Sequence, residues 1–187
     1  MRVITGSARG CRLKELEGME TRPTTDRVKE GLFNIIQFDI EGRKVLDLFA
    51  GTGQLGIECL SRGAASAVFV DRRTDAVKLI RENLTATRLS DKARVVSGDS
   101  MEFWKSRRES FDLIFLDPPY EAGLLEPAIA HIAKFDILSP HGIIVAEHPV
   151  GMALPALAAP YRLHRTYRYG KIALSLYRRG GNEENEE

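Results

Sequence analysis

Cysteine is scarce in this chain, with Cys11 and Cys59 the only two. A disulfide scaffold and a thiolate zinc cluster both need more, so both are excluded. Cys59 sits among Ile57, Glu58 and Leu60 and reads as a small core residue. Long apolar runs are missing as well: no stretch approaches the roughly 20 residues of a membrane helix. The opening Met1-Arg2-Val3-Ile4-Thr5-Gly6 turns polar too soon for a signal peptide. His131, His141, His148 and His164 are scattered without ligand spacing, so no metal is expected. Neither sign of charge dominates. The formal net charge is +1, although Glu183, Glu184, Glu186 and Glu187 mask a body of about +5. So modest an excess does not establish a nucleic-acid partner. What is present is an ordinary globular composition, 187 residues with 43% hydrophobic content. That suits one domain with a full core, in a reducing, cytoplasmic setting.

Three regions differ in pattern. Residues 1–43 form an extension with Arg2, Arg9, Arg12, Lys14, Arg22, Arg27, Lys29 and Arg43, turning at Gly6, Gly10 and Gly18. Val3-Ile4-Thr5 and Cys11-Arg12-Leu13 are suited to a hairpin. A helix capped by Thr25 or Asp26 should run to about Gln37, with Val28, Leu32, Ile35 and Ile36 as its apolar face and Phe33 at the border. Residues 44–179 alternate apolar strands (45–49, 67–71, 94–97, 112–116, 143–147) with helices (54–62, 74–87, 123–134) and close on a hairpin of 162–168 and 171–177. This predicts an α/β fold: a Rossmann-like, mostly parallel, seven-stranded sheet with helices on both faces and an antiparallel C-terminal hairpin. Residues 180–187 are an acidic tail, expected to be disordered.

Gly51-Thr52-Gly53-Gln54-Leu55-Gly56 matches a dinucleotide-binding pattern, and Asp71 follows about 20 residues later, where a ribose-binding carboxylate belongs. A tight turn with no ligand is the plainer alternative. Asp47, just ahead of the glycines, favours a cationic ligand over a pyrophosphate and moves the expectation from NAD to S-adenosyl-L-methionine. Asp99, in Ser97-Gly98-Asp99-Ser100, could accept a hydrogen bond from the adenine amine or could simply cap a turn.

Asp117-Pro118-Pro119-Tyr120 follows the apolar run Leu113–Leu116 and should leave a buried strand at its C-terminal end. A carboxylate, a freed proline carbonyl and a flat ring suit a planar exocyclic amine. Hydrogen bonds from that amine to Asp117 and to the Pro118 carbonyl would expose its lone pair, and Tyr120 would stack on the base. Read alone, the motif is only a rigid turn. Its company in chain order (Asp47, the glycine loop, Asp71 and Asp99) points to transfer chemistry.

These motifs resemble the class I S-adenosylmethionine-dependent methyltransferases, and among them the RsmD-like bacterial enzymes that methylate N2 of one guanine in 16S ribosomal RNA. The similarity spans about 1–179 and rests on residues 22–34, 47–58, Ser61-Arg62-Gly63-Ala64 and 117–120. It implies Asp47, Phe49, Gly51, Gly53, Asp71, Arg72, Asp99 and Ser100 as cofactor residues and Asp117, Pro118, Pro119 and Tyr120 as the target-base site. It also implies an N-terminal extension that covers the site and holds RNA, in which Arg9, Arg12, Arg22 and Arg27 suit phosphates. Gln54 stands where small residues are common, and Lys29 where arginine is common. The implied partner is 16S ribosomal RNA, within a 30S subunit or an assembly intermediate carrying ribosomal proteins, and the expected state is monomeric.

The same proline loop would serve a DNA adenine-N6 methylase, although no separate DNA-recognition domain is apparent. An NAD oxidoreductase lacks its catalytic Tyr–Lys, His or Cys arrangement here. A non-catalytic RNA-binding module would have no need of the donor pocket. His148, after Glu147, is a minor pocket candidate. No tyrosine of the terminal strands (Tyr161, Tyr167, Tyr169, Tyr177) is assigned to RNA.

Overall fold

The inner strands of the sheet are apolar on both faces because helices cover both. The computed structural model describes residues 1–16, 26–103 and 109–180. Arg22, the Pro23-Thr24-Thr25 turn and the tail from 181 lie outside the described residues. In chain order come α1 (Asp26–Ile35), β1 (Lys44–Asp47), α2 (Gln54–Ser61), β2 (Ser66–Asp71), α3 (Thr74–Thr87), β3 (Ala93–Ser97), β4 (Phe111–Leu116), α4 (Leu125–Phe135), β5 (Leu138–Pro149), β6 (Tyr161–Tyr169) and β7 (Ile172–Arg179). Short 3₁₀ turns occupy Ser90–Lys92 and Tyr120–Ala122.

The seven strands lie in the order β3-β2-β1-β4-β5-β7-β6. β1 to β5 run parallel, and β7 is antiparallel to both β5 and β6. This is the predicted fold class. Side chains alternate between faces with the period of two that a strand imposes. Val45, Phe69, Leu113, Phe115 and Val145 join one core with α1, α2 and α3, while Leu46, Val68, Ile114, Leu116 and Ile144 join the other with α4. The order reverses between β1 and β4, and at such a switch point the loops diverge and leave a crevice beyond the strand C-termini.

Two local features differ from expectation. Val3 and Cys11 are hydrogen-bonded across the N-terminal turn, but only the bridge Arg2↔Arg12 forms in place of two full strands. On α1, Phe33 is fully buried and Ile35 only partly so. The buried stripe runs through Val28, Lys29, Leu32, Phe33 and Ile36, and it therefore includes a lysine. No helix among the described residues is long and apolar enough to cross a membrane.

That lysine belongs to a buried polar junction. Glu58 of α2 is fully buried, and its carboxylate accepts from Ile4 N (2.8 Å), Thr5 N (3.0 Å), Lys29 Nζ (3.1 Å) and Arg62 Nε (2.9 Å). Lys29 Nζ also donates to the Arg2 carbonyl at 3.1 Å. Ser61 Oγ donates to the Thr5 carbonyl and accepts from Ala8 N. Gly6 lies so close to α2 that a Cβ there would overlap the Ser61 carbonyl oxygen at 1.8 Å, and its φ of +88° also favours glycine. The opening turn is therefore clamped to α2.

Removing one partner of such a junction leaves buried charge uncompensated, at a cost of about 3–5 kcal/mol. Glu58→Ala should lose stability of that order in urea unfolding, and Glu58→Gln a smaller amount. A loss below about 1 kcal/mol for the alanine variant would mean that water already shares the junction.

Candidate active site

β1 delivers the chain into the loop Leu48 to Gly53, and every glycine amide of that loop motif is committed internally. Gly51 N donates to Asp71 Oδ2 at 2.9 Å, Gly53 N to the Ala50 carbonyl at 2.7 Å and Gly56 N to Asp47 Oδ2 at 3.1 Å. Amides engaged in this way are not available to cradle a pyrophosphate. Gly53 caps α2 from the left-handed region, with φ 77°. Gly56 lets α2 approach β2, since a Cβ there would stand 2.3 Å from the Phe69 ring. At Gly51 nothing lies within 4 Å of a Cβ position, so bare backbone forms the wall of an open hollow.

That hollow is a cavity of about 360 Å³ at the C-terminal edge of the sheet. Its wall includes Phe49 and Gly51 after β1, Asp71 and Arg72 at the end of β2, Asp99 and Ser100 after β3, Asp117, Pro118 and Pro119 after β4, and Glu147 on β5. Met1 and Leu16 of the N-terminal segment complete it. Asn83 of α3 holds that segment in place: it accepts from Lys14 N (2.8 Å) and donates to the carbonyls of Lys14 (3.2 Å) and Thr52 (2.9 Å). The extension and the glycine loop are thus tied through one buried amide.

The predicted residues fall into four groups. Phe49, Gly51, Asp71, Arg72, Asp99, Ser100, Asp117, Pro118 and Pro119 share the cavity wall. Asp99 also caps a turn, its Oδ1 accepting from Met101 N at 2.6 Å. Asp47 and Gly53 stand behind that wall. Asp47 is only 3% exposed, and its carboxylate faces the Gly56 amide rather than the hollow. Tyr120 borders a smaller adjoining hollow, where its hydroxyl donates to Glu147 Oε1 at 2.9 Å. Arg9, Arg12 and Arg27 are exposed outside the cavity, and no ion pair joins them to a described acid. His148 borders the same smaller hollow, and its ring nitrogens lie 2.9 Å from the Pro149 carbonyl and 2.8 Å from Ser175 Oγ. Cys59 is fully buried, and burial pushes its thiol pKa well up.

Glu147 and Asn83 were missed as site residues. The available signal was a polar residue interrupting an apolar pattern, Glu147 after Ile143–Ala146 and Asn83 amid Leu79, Ile80 and Leu84.

Burial raises the Asp47 pKa to about 7; the Gly56 amide opposes the shift and the Asp71 charge adds to it. Below the unfolded value of 3.8 the carboxyl is neutral in both states, so it costs nothing. Between that value and about 7 the folded state retains the proton, and above about 7 it bears the full cost of a buried charge. Asp47→Asn can still accept from Gly56. It should raise the unfolding free energy more at pH 8 than at pH 5, by an amount on the order of a few kcal/mol at most, read from urea unfolding at the two pH values. Equal gains at both pH values would show that Asp47 ionises there without penalty.

The wall presents four carboxylates, Asp71, Asp99, Asp117 and Glu147, beside the cations Arg72 and Arg73, and the three glycine amides of the motif are already engaged. That lining fits a cationic cofactor carrying hydroxyls. Sheet order and terminal hairpin together define the class I S-adenosylmethionine-dependent methyltransferase fold. The chain belongs to the family described as conserved hypothetical protein 95, whose model matches residues 1–178. YlbH of Bacillus subtilis is 40% identical over 184 residues, covering 97% of this chain and 100% of that protein. Ribosomal RNA small subunit methyltransferase D of Escherichia coli (strain K12) is 37% identical, covering 100% and 93%. The solved structure of yhhF from Escherichia coli is 37% identical with a TM-score of 0.87, covering 96% of this chain and 98% of that one.

Proposed function

We propose that the chain transfers a methyl group from S-adenosyl-L-methionine to the exocyclic N2 amine of a guanine in 16S ribosomal RNA. The observation that carries the reading is that the Asp117-Pro118-Pro119 turn lines the same cavity as Gly51 and Asp71. The choice of polymer is supported by the Escherichia coli relative, which is named a ribosomal RNA small subunit methyltransferase.

Asp71 would hold the ribose, because its oxygens accept from Gly51 N and Arg73 N and still have lone pairs for two hydroxyls. Asp99 and Ser100 would take the adenine edge, with Phe49 and Arg72 beside it. Asp47 would act through the glycine loop. When bound, the cofactor supplies a methyl group on a sulfonium, an activated donor that needs no further acid. The target amine would donate its N–H bonds to Asp117 and to the Pro118 carbonyl, attack the methyl carbon as the carbon–sulfur bond breaks, and lose its proton afterwards. Alignment supplies much of the rate. Tyr120, held by Glu147, would stack on the base. Arg9, Arg12, Arg22 and Arg27 would meet phosphates of RNA within a 30S particle or assembly intermediate bearing ribosomal proteins, with the enzyme acting as a cytoplasmic monomer.

Labelled cofactor offered with 16S ribosomal RNA, 30S particles and DNA, followed by nucleoside analysis, tests the proposal. N2-methylguanosine from the RNA or the particle is expected, and N6-methyladenine from DNA would overturn it. Asp117→Ala should lower single-turnover methylation by about a hundredfold or more while leaving cofactor affinity close to that of the parent. Unchanged turnover would remove Asp117 from the mechanism. Arg27→Glu should weaken RNA binding and flatten its salt dependence, and superimposable salt series for variant and parent would exclude that contact.

A further inference from the structure

We infer that the exposed edge strand β6 and its turn into β7 form a second RNA-binding surface, holding the phosphates and bases that flank the target nucleotide. The inference rests on the RNA reading above and extends it to residues with no part in the cleft. From His148 to Asn182 the sequence contains no Asp or Glu at all, and between Tyr161 and Arg179 it places six Lys or Arg residues. Two of the six, Arg178 and Arg179, are matched by Asp39 and Asp136 from elsewhere in the chain, at 3.5 and 2.8 Å. Arg165, Arg168 and Lys171 are exposed and make no ion pair with any described acid.

Their placement gives the charge a direction. Pro149 pairs with Ile172, and Val150 N donates to the Lys171 carbonyl at 3.0 Å. The β6–β7 turn therefore stands at the same sheet edge as the cavity, three register positions beyond Glu147, whose partner is Leu174. At about 3.3 Å per residue that is roughly 10 Å, near the span of a nucleotide or two. A register shift between Leu163 and Arg165 sets Arg165 opposite Leu176 and Tyr167 opposite Leu174, on the α1 face. There the Arg165 guanidinium lies 5.2 Å from the centre of the half-buried Tyr167 ring. Tyr169 continues the row and meets α1, since a Cβ on Gly31 would come within 2.5 Å of its hydroxyl. Arg27 is exposed one turn earlier on that helix. Cations interleaved with a flat ring along a thin edge match the needs of a single RNA strand. Charge on an edge strand also prevents strand-to-strand pairing, but one residue of either sign serves that purpose. A run of arginines with no acid among them suits phosphate, which the guanidinium fork binds in two places.

The test compares Arg165→Glu/Arg168→Glu/Lys171→Glu with a control of equal charge change elsewhere, Lys78→Glu/Lys92→Glu/Lys134→Glu. Binding of 16S ribosomal RNA or 30S particles is measured across a salt series, together with cofactor affinity, melting temperature and sedimentation. The β6 variant should bind RNA at least about tenfold more weakly near 0.1 M salt, with a log–log salt slope shallower by about two. Its methylation loss should fall in KM for RNA, and its cofactor affinity and melting temperature should match the parent. Equal RNA binding by parent and β6 variant overturns the inference and leaves the RNA reading standing. An equal loss in the control overturns it too, because net charge alone would then be responsible. Sedimentation of the parent as a dimer that the β6 variant breaks would assign the edge to self-association. A parent that binds neither RNA nor the particle defeats this inference and the RNA reading together.

Discussion

The Glu58 carboxylate joins three parts of the chain that the sheet alone would not hold together. It takes two backbone amides from the opening turn, an ammonium from α1 and a guanidinium from its own helix, and none of it is exposed to water. A lone carboxylate in that place would carry a large desolvation cost. Four donors offset it, and they do so only if the opening turn, α1 and α2 keep their positions. A buried charge with this many partners contributes little net stability. It strongly penalises any arrangement in which the N-terminal segment leaves.

The consequence reaches the cavity. Once Glu58 and Ser61 fix the turn at Ile4 to Ala8, Asn83 can fasten Lys14 beside the glycine loop. Met1 and Leu16 then become part of the cavity wall, although the sheet builds the rest. The glycine loop is itself shaped by carboxylates that accept its amides, Asp71 at Gly51 and Asp47 at Gly56. These bonds engage two glycine amides of the loop, and four carboxylates on the wall suit a cation. On the opposite side Glu147 plays a similar part for the proline loop by receiving the Tyr120 hydroxyl.

Much of this was legible in advance because its signals are local. Apolar runs of four residues such as Ala67–Val70 or Leu113–Leu116, separated by helical spacing, dictate buried parallel strands whatever lies around them. The glycine loop, Asp71 and the proline loop were equally visible, since the chemistry of each lies in a contiguous stretch and strand C-termini converge in any doubly wound sheet. Asp47 shows where local reading stops. Its position before the glycines was plain, but the direction of its carboxylate depends on α2 returning the Gly56 amide beneath the loop.

By itself, then, the sequence determined the sheet, the crevice at its switch point and the side chains that gather there, because periodicity and turn chemistry act over a few neighbouring residues. Only the tertiary structure decided which polar groups became structural. Lys29, one of several cations in the extension by sequence, is 1% exposed, while Glu147 and Asn83, to which the sequence assigned no role, position the two sides of the site. It also decided that the arginines of β6 stand beside the cleft, through a register shift and a pairing with β5 that no local pattern encodes. The physical reason is the same in each case. A charge or amide is stabilised by partners 27 to 69 residues away, and those partners exist only once the chain has folded.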